Sequence, residues 1–200
     1  ESFRDTQDEK TDCTNMRADA CIYRAESLRP LPSHQPLTEQ NAALVHAYFP
    51  RTHAQEITSQ SKRQKVPKSL IWAIIREESR FNRRAVSFVG AKGLMQLMPG
   101  TARDMARVDR IKYPNLFHPG TNIRLGTRYL KFVQKYVNKS WVVVPPGYNA
   151  GQGALRKWLR ATPAREFDLF VETIPYDEAR SYTKRVNRSF VIYRLLSKRK

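Results

Sequence analysis

Two adjacent glutamates, Glu77 and Glu78, follow the most apolar segment of the chain and are its best-placed candidates for proton transfer. Glu78 lies at helical spacing from Ile71 and Ile75, so it continues the apolar stripe of the helix predicted there. Burial at that position would raise the pKa of its carboxyl group, as a general acid near neutral pH requires. Glu77 is placed almost as well, and either acid could instead pair with an arginine at the helix end. The spacing leaves the choice between the two glutamates open.

Two other segments carry residue types that suit ligand binding. Residues 90–99 are a glycine-bearing loop that runs into an apolar segment but lacks the Gly-Lys-Ser/Thr ending of a phosphate-binding loop. Gln96 is unusual in this loop because a buried amide needs hydrogen-bond partners, whereas Met95 and Met98 are typical of core packing. Residues 148–151, with the sequence Tyr-Asn-Ala-Gly, indicate a turn. Local patterns therefore favour structural roles for both segments.

The spacing of the histidines, cysteines and possible nucleophiles does not indicate a metal site, a cofactor site or a covalent catalytic mechanism. The four histidines show no metal-ligand spacing, and no Ser/His/Asp or Cys/His order stands out, so we expect no metal and no cofactor. The chain has two cysteines, Cys13 and Cys21. A helix through both would separate their Cα atoms by about 12 Å, more than the ~7 Å that a disulfide spans, so a bridge requires a bent segment. A local disulfide and two unpaired thiols both remain open.

The charge of the chain is uneven and strongly positive overall. Its 200 residues carry a formal net charge of +18, with −3 in residues 1–60 and +21 in residues 61–200. A basic surface of this kind concentrates nucleic acid, anionic lipid or an acidic cell-wall polymer, although a merely solubilising surface also fits. Hydrophobic residues at 40% are enough for a core, and no apolar run approaches the ~18–20 residues of a membrane helix. We therefore expect a folded domain without a transmembrane segment.

Helices must position these candidate residues, because few segments alternate with the period of a strand. Residues 1–36 are polar and end in a proline-rich stretch that is typical of a linker. Basic and aromatic residues alternate over 124–136, which at helical spacing favours an amphipathic helix with a solvated face over a nucleic-acid groove. The sequence predicts a mainly α fold with a helix that begins near Pro67 and others over residues 38–49, 54–63, 99–108, 122–137, 153–159, 167–173 and 177–196.

Taken together, these segments resemble the catalytic domain of the soluble lytic transglycosylases, which are peptidoglycan-cleaving enzymes with a helical fold like that of goose-type lysozyme. The most specific part is Glu78-Ser79 followed by the Gly-Leu-Met-Gln of residues 93–96. The resemblance also rests, in chain order, on residues 48–50, 66–70, 76–82, 87, 90–99, 101–102, 122–123, 125–126, 129–130, 148–151, 172–176 and 182. It implies a mainly α, lysozyme-like domain over residues 48–200. An irregular N-terminal extension, residues 1–47, precedes this domain and matches nothing in the family.

The resemblance implies a reaction and a set of site residues. Glu78 would protonate the glycosidic oxygen between MurNAc and GlcNAc, then act as base on the C6 hydroxyl of the same MurNAc, which closes a 1,6-anhydro ring without water. This intramolecular attack would explain how one carboxylate suffices, where glycosidases typically use two. The residues implied to bind the glycan strand are Ser87, Gly93, Gln96, Met98, Tyr148, Asn149, Glu172 and Tyr182.

The resemblance also implies partners and a location. The expected partner is the peptidoglycan glycan strand, whose negatively charged peptide stems suit the basic surface, and nucleic acid is not expected. Residues 1–47 could dock a protein partner. The expected location is the periplasm or the cell envelope, and it follows from the resemblance alone because the chain shows no leader pattern.

One departure from the family pattern and several other functions stay open. Pro145 and Pro146 stand where the family usually has a small-residue helix before Tyr-Asn-Ala-Gly, and paired prolines predict a break in that helix. A hydrolytic muramidase of the same fold is the second enzyme candidate, although no second carboxylate is evident near Glu78. The candidates from other classes are a non-catalytic cell-wall-binding or assembly module and a basic nucleic-acid binder.

Overall fold

Helices dominate the part of the chain that the computed structural model describes, which is residue 45 and residues 47–138, 140–162 and 166–198. The helices are α1 (Ala54–Gln64), α2 (Lys68–Ser79), α3 (Pro99–Val108), α4 (Pro119–Gln134), α5 (Val144–Ala161), α6 (Phe167–Glu172) and α7 (Asp177–Lys198). Pairing of β type among these residues is limited to two isolated bridges, Val86 with Lys92 and Lys92 with Leu97. The predicted mainly α fold is confirmed. Both cysteines, the extension up to residue 44 and most of the helix predicted over 38–49 lie outside the described residues.

Helix α2 forms the centre of the core, and its sequence explains why. Residues 70–75, Leu-Ile-Trp-Ala-Ile-Ile, are apolar on all sides and all buried, so other elements must surround the helix. Its main neighbour is α7, where the Tyr193 ring stacks on Trp72 with 5.9 Å between the ring centroids. Each buried Leu or Ile contributes about 1.5–3 kcal/mol relative to an exposed one. The helix ends before Arg80, which has a left-handed φ of 48°, so both glutamates lie in its last turn.

Residues 47–53, which precede α1, pack against α2 and α7. The ring of Phe49 meets that of Tyr193 edge-on at 5.5 Å, and the guanidinium of Arg76 lies 4.3 Å from the centre of the Phe49 ring. Three side chains of the two helices each donate a hydrogen bond of 3.0 Å to a backbone oxygen of this segment: Arg76 to Tyr48, Tyr193 to Pro50, and Trp72 to Thr52. The segment is therefore attached to the core both by ring packing and by hydrogen bonds.

A buried ion-pair network joins α1, α4 and the residue that follows α3. The side chain of Asp109 is 1% exposed. Its carboxylate accepts hydrogen bonds from Arg124 Nε at 2.5 Å and from Arg128, and it pairs with Arg63 at 3.9 Å. Burial acts to raise the pKa of Asp109, but the hydrogen bonds and positive charges of Arg124 and Arg128 together outweigh burial and lower it. The face of α4 predicted to be solvated is thus partly engaged inside the protein.

Helix α5 corrects the prediction that Pro145 and Pro146 break a helix. Both prolines lie in its first turn, since α5 begins at Val144. Backbone N–H groups in a first turn have no intrahelical acceptor, so proline removes no hydrogen bond there and its fixed φ favours the start of a helix. The predicted turn over residues 148–151 is likewise reduced to Gly151, whose φ of 84° and ψ of 157° interrupt the helix.

Candidate active site

The carboxyl group of Glu78 lies where α2 meets α7, and its hydrogen-bond partner comes from α7. Tyr182 Oη donates to Glu78 Oε1 at 2.6 Å, and no ion pair to Glu78 is found among the described residues. Burial raises the pKa of Glu78 from 4.5 to about 7, against the effect of the Tyr182 hydrogen bond. The charges of Glu178 and Glu77 also raise this pKa, and that of Arg185 lowers it. Near neutral pH the group therefore exists in both protonation states, which suits it to donate a proton and then accept one.

Glu77, which helical spacing could not separate from Glu78, lies in different surroundings. Its Oε1 accepts hydrogen bonds from Arg76 Nη1 at 2.5 Å and from Ser189 Oγ at 2.7 Å. Its Oε2 lies 3.6 Å from Arg185 Nε. The carboxylate of Glu77 is thus surrounded by two guanidinium groups and a hydroxyl donor, whereas that of Glu78 receives one phenol. Of the two glutamates, Glu78 has the surroundings that suit a proton donor.

The loop between α2 and α3 lies beside Glu78 and is tied to two helices. Ser79 Oγ, on the residue after Glu78, donates to Leu94 O at 2.8 Å. Tyr148 Oη, from α5, donates to Met95 O at 2.8 Å. Burial raises the pKa of Tyr148 well above its usual value and the charge of Glu78 adds to this effect, so the phenol and the carboxyl group are electrostatic neighbours. The loop, α5 and α7 therefore meet around the end of α2.

A buried amide to which the sequence analysis gave no role holds this loop to α4. Asn122 Oδ1 accepts from the Met95 N–H at 2.8 Å. Asn122 Nδ2 donates to Lys92 O and to Leu116 O, both at 2.9 Å. Gly93 lies beside this amide with a φ of 78°, and a Cβ atom there would be 2.1 Å from Leu116 O. The signal that could have identified Asn122 is an asparagine at a buried position of a predicted helix, since a buried amide needs partners.

Two loop residues predicted to bind the glycan have structural contacts of their own. Ser87 Oγ accepts from the Ala91 N–H at 3.0 Å. Gln96 has a left-handed φ of 43°, and its Nε2 donates to Gly93 O at 2.8 Å and to Ala85 O at 3.1 Å. The amide of Gln96 thus has the partners that the sequence analysis required. Both side chains help to shape the loop.

Among the predicted site residues, the structure brings both tyrosines to Glu78. Tyr148 and Tyr182 are buried there, the first through its contact with the loop and the second through its direct hydrogen bond. Met98 is 42% exposed, so the interpretation of its side chain as core packing is wrong, whereas Met95 is buried as expected. Met98 directly precedes α3 and presents apolar surface to solvent.

Two further predicted residues are not joined to Glu78 in the structure. Asn149, which follows the buried tyrosine of α5, is exposed. Glu172, the last residue of α6, is exposed and pairs with Lys184 Nζ at 2.6 Å. Neither of them has a hydrogen bond or ion pair to Glu78 within the described ranges. If Asn149 and Glu172 bind a ligand, they contact parts of it that lie farther from the Glu78 carboxyl group.

Replacing Tyr182 by phenylalanine is expected to raise the pKa of Glu78 further, by about one unit, because the phenol would no longer stabilise the carboxylate. Titration of the glutamate carboxyl carbons by 13C NMR measures this pKa in the folded protein. The matched control is Tyr193→Phe, which removes a hydroxyl that donates to Pro50 instead. An unchanged pKa in Tyr182→Phe would mean that this hydrogen bond does not favour the charged form of Glu78.

The described residues contain no group of three or more His, Cys, Asp or Glu side chains that could hold a metal ion. None of the described helices is long and apolar enough to cross a bilayer. What these residues do offer is one carboxyl group with a raised pKa, two buried tyrosines beside it and a hydrogen-bonded loop next to them. This arrangement suits acid–base chemistry on a ligand that reaches the end of α2.

Comparison with known proteins relates most of the chain to one family. Residues 55–171 match the family described as the transglycosylase SLT domain. Over 151 residues the chain is 37% identical to the soluble lytic murein transglycosylase of Salmonella typhimurium and to the protein of the same name from Escherichia coli K12. These matches cover 73% of this chain and 23% of each relative, so the chain spans about a quarter of their length. A membrane-bound lytic murein transglycosylase C from Histophilus somni is 31% identical over 158 residues, covering 66% of this chain and 43% of that protein.

Solved structures share the fold. An inactive Glu-to-Gln mutant of lytic transglycosylase Slt from Pseudomonas aeruginosa superposes with a TM-score of 0.72 at 40% identity, covering 77% of this chain and 26% of that one. The 70-kDa soluble lytic transglycosylase in complex with bulgecin A gives a TM-score of 0.73 at 35% identity, covering 78% and 26%. The lysozyme-like helical fold predicted from the sequence is confirmed.

Proposed function

Because the chain belongs to the transglycosylase SLT domain family, we propose that it is a peptidoglycan lytic transglycosylase, which cleaves the bond between MurNAc and GlcNAc and forms 1,6-anhydro-MurNAc. The observation that carries the proposal is the buried carboxyl group of Glu78, whose pKa of about 7 lets it act as acid and then as base. The relatives named above are lytic transglycosylases, which supports this reaction. The match covers only 23% of the two soluble relatives and 43% of the membrane-bound one, so the activity of this chain needs its own test.

In the proposed first step, protonated Glu78 donates its proton to the glycosidic oxygen. The bond between C1 of MurNAc and this oxygen breaks, and its electron pair stays with the leaving GlcNAc hydroxyl. Burial of Glu78 favours the protonated form that this step requires. The Tyr182 hydroxyl, 2.6 Å from the carboxyl group, stabilises the carboxylate that the step leaves behind.

In the second step, the carboxylate of Glu78 accepts the proton of the C6 hydroxyl of the same MurNAc. The C6 oxygen bonds to C1, which closes the anhydro ring and returns Glu78 to its protonated form. No water is consumed, so a second carboxylate to activate water is unnecessary. The neighbouring acid Glu77 is poorly suited to that task, because both of its oxygens face cations or a hydroxyl donor.

The predicted binding residues surround this carboxyl group to different degrees. Ser87, Gly93 and Gln96 belong to the loop beside Glu78, and their hydrogen bonds support a role in shaping the sugar groove. Met98 ends the same loop, whereas α5 and α7 supply Tyr148 and Tyr182. Asn149 and Glu172, which are exposed, are assigned to outer parts of the glycan strand. The exposure of Met98 supports apolar contact with a sugar ring.

The proposed substrate also sets the proposed partners and location. A net charge of +21 over residues 61–200 suits a wall polymer with acidic peptide stems. The relatives are named soluble or membrane-bound lytic murein transglycosylases, which supports action in the periplasm or cell envelope. A protein partner for residues 1–47 is proposed from the sequence of that extension alone.

The test of this function is mass spectrometry of the soluble fragments released from purified peptidoglycan. The proposal expects fragments that end in 1,6-anhydro-MurNAc, each lighter by one water than the hydrolysed product. Reducing MurNAc ends would instead identify a muramidase of the same fold. Release of no fragments, with the protein retained on the insoluble wall, would identify a non-catalytic binding module.

A further inference from the structure

Glu77 occupies a rigid position between α2 and α7. Its side chain is 10% exposed, and Arg76 Nη1 and Ser189 Oγ hold Oε1 at 2.5 and 2.7 Å. Two short hydrogen bonds to one oxygen leave the other oxygen with a fixed direction. That second oxygen faces Arg185 Nε at 3.6 Å. This partly buried acid therefore presents a fixed negative charge to an arginine on α7.

Arg185 could reach the proposed catalytic acid as well as Glu77. It lies three residues after Tyr182 on α7, and residues at this spacing share a helix face. Its side chain is 54% exposed, so its long stem has room to change rotamer. In the structure Arg185 pairs with Glu77, and the described residues contain no ion pair between Arg185 and Glu78. A direct guanidinium–carboxylate pair would favour the charged form of Glu78 and oppose its role as acid.

We propose that Glu77 is a positioning residue that holds the guanidinium of Arg185 on its own carboxylate and so prevents Arg185 from pairing with Glu78. The proposal rests on the proposed function, in which Glu78 must carry a proton to start the reaction. Helical spacing could not decide which of the two glutamates is the acid. The geometry gives the two acids different roles: Glu78 acts on the substrate, and Glu77 holds Arg185.

Several charged or titratable groups face Glu78 from the elements around it, and the proposal must be separated from their effects. They are Glu77 on α2, Tyr148 on α5, and Glu178, Tyr182 and Arg185 on α7. Burial raises the pKa of Glu78 most, Glu178 and Glu77 raise it further, and Tyr182 and Arg185 lower it. Loss of Glu77 is therefore expected to act in two ways. It removes a negative charge, and it releases the arginine.

The test combines pH profiles of kcat/KM with 13C NMR titration of Glu78 in Glu77→Gln, Arg185→Gln and the double variant. In Glu77→Gln the alkaline limb of the profile should move to lower pH by about half a unit to one unit, so activity at pH 8 falls about three- to tenfold. Activity at pH 5, where Glu78 stays protonated, should be unchanged. Arg185→Gln should move the limb to higher pH.

The double variant isolates the action through Arg185. If Glu77 works by holding the arginine, Glu77→Gln should move the midpoint much less in the Arg185→Gln background than in the natural chain. Matched controls are Arg188→Gln, which removes an exposed positive charge from the same helix, and Glu56→Gln on α1. Both controls should leave the midpoint unchanged.

Two outcomes would overturn the inference. An equal shift in both backgrounds would mean that Glu77 acts only through its own charge. A loss of activity that is the same at every pH, with an unchanged pKa of Glu78, would mean that Glu77 only joins α2 to α7. The NMR titration needs no substrate, so it tests this inference independently of the reaction. If the expected pKa shifts occur but no anhydro fragments are released, the proposed function is contradicted and this inference is supported.

Discussion

Glu78→Gln is expected to lower the rate of anhydro-fragment release by about a thousandfold or more while leaving binding to insoluble peptidoglycan intact. Glutamine keeps the size of the side chain but can neither donate the proton in the first step nor accept one in the second, and general acid–base catalysis alone is worth 10²–10⁴-fold. Clearing of a peptidoglycan suspension and mass spectrometry measure the rate, and co-sedimentation measures binding. Glu56→Gln on α1 is the matched control. Lysis that survives the change would exclude Glu78 as the acid.

The same variant has an expected signature in stability. The pKa of Glu78 is about 7 in the folded protein and near 4.5 in an unfolded chain, so between these values the folded state binds more protons than the unfolded state. The free energy of unfolding therefore falls as pH rises through this window. Glutamine cannot ionise, so Glu78→Gln should be more stable than the natural chain by about 3 kcal/mol at pH 8 and equally stable below pH 4.5. Urea unfolding at pH 4 and pH 8 measures the difference.

Loss of activity together with a gain of stability at alkaline pH would identify Glu78 as a functional residue. Removal of an acid with only a structural role would instead lower both the activity and the free energy of unfolding.

Gly93→Ala is expected to destabilise the fold by about 3–5 kcal/mol, a loss large enough to leave the site disordered. A Cβ atom there would lie 2.1 Å from Leu116 O and 2.4 Å from Asn122 Nδ2, and neither can retreat without breaking the buried hydrogen bonds of that amide. The φ of 78° adds the strain that any residue with a Cβ atom has in this region. The midpoint of urea unfolding measures the loss.

Gly90→Ala is the control for backbone strain, because it lies in the same loop with a φ of 85° but nothing within 4 Å of its Cβ position. It should cost only the strain of the left-handed conformation, about 1–2 kcal/mol. If Gly93→Ala costs no more than Gly90→Ala, the close approach of Gly93 to α4 has no energetic importance.

The sequence was sufficient where one apolar pattern determines one structure. Residues 70–75 of α2 are apolar on every side, and this alone predicts a buried helix with two glutamates at its end. The predicted bounds of α3 and the start of α7 also agree with the structure. The resemblance implied Glu78 as the proton donor, but helical spacing could not choose between the two glutamates. Arg185, Ser189 and Tyr182 lie more than a hundred residues away in the chain, and only folding brings them to Glu77 and Glu78.

Other features were missed because their cause is a contact between distant elements. The network around Asp109 needs arginines from α1 and α4, and no local pattern pairs them. The role of Asn122 becomes visible only in the folded chain, where the loop backbone at Lys92 and Met95 lies against its amide. The two prolines of α5 were misjudged for another reason, since proline breaks a helix interior but favours a first turn, and the predicted start of the helix was too late.

The attachment of residues 47–53 to α2 and α7 has a practical consequence for any shortened version of the chain. The range that matches the family, 55–171, omits both Phe49 and the whole of α7, including Tyr182 and Tyr193. A fragment cut to that range would leave one side of α2 facing water, with Trp72 uncovered and the proposed acid without its phenol. Such apolar surface promotes aggregation. Expression boundaries are therefore better drawn before Phe49 and after Tyr193 than at the limits of the family match.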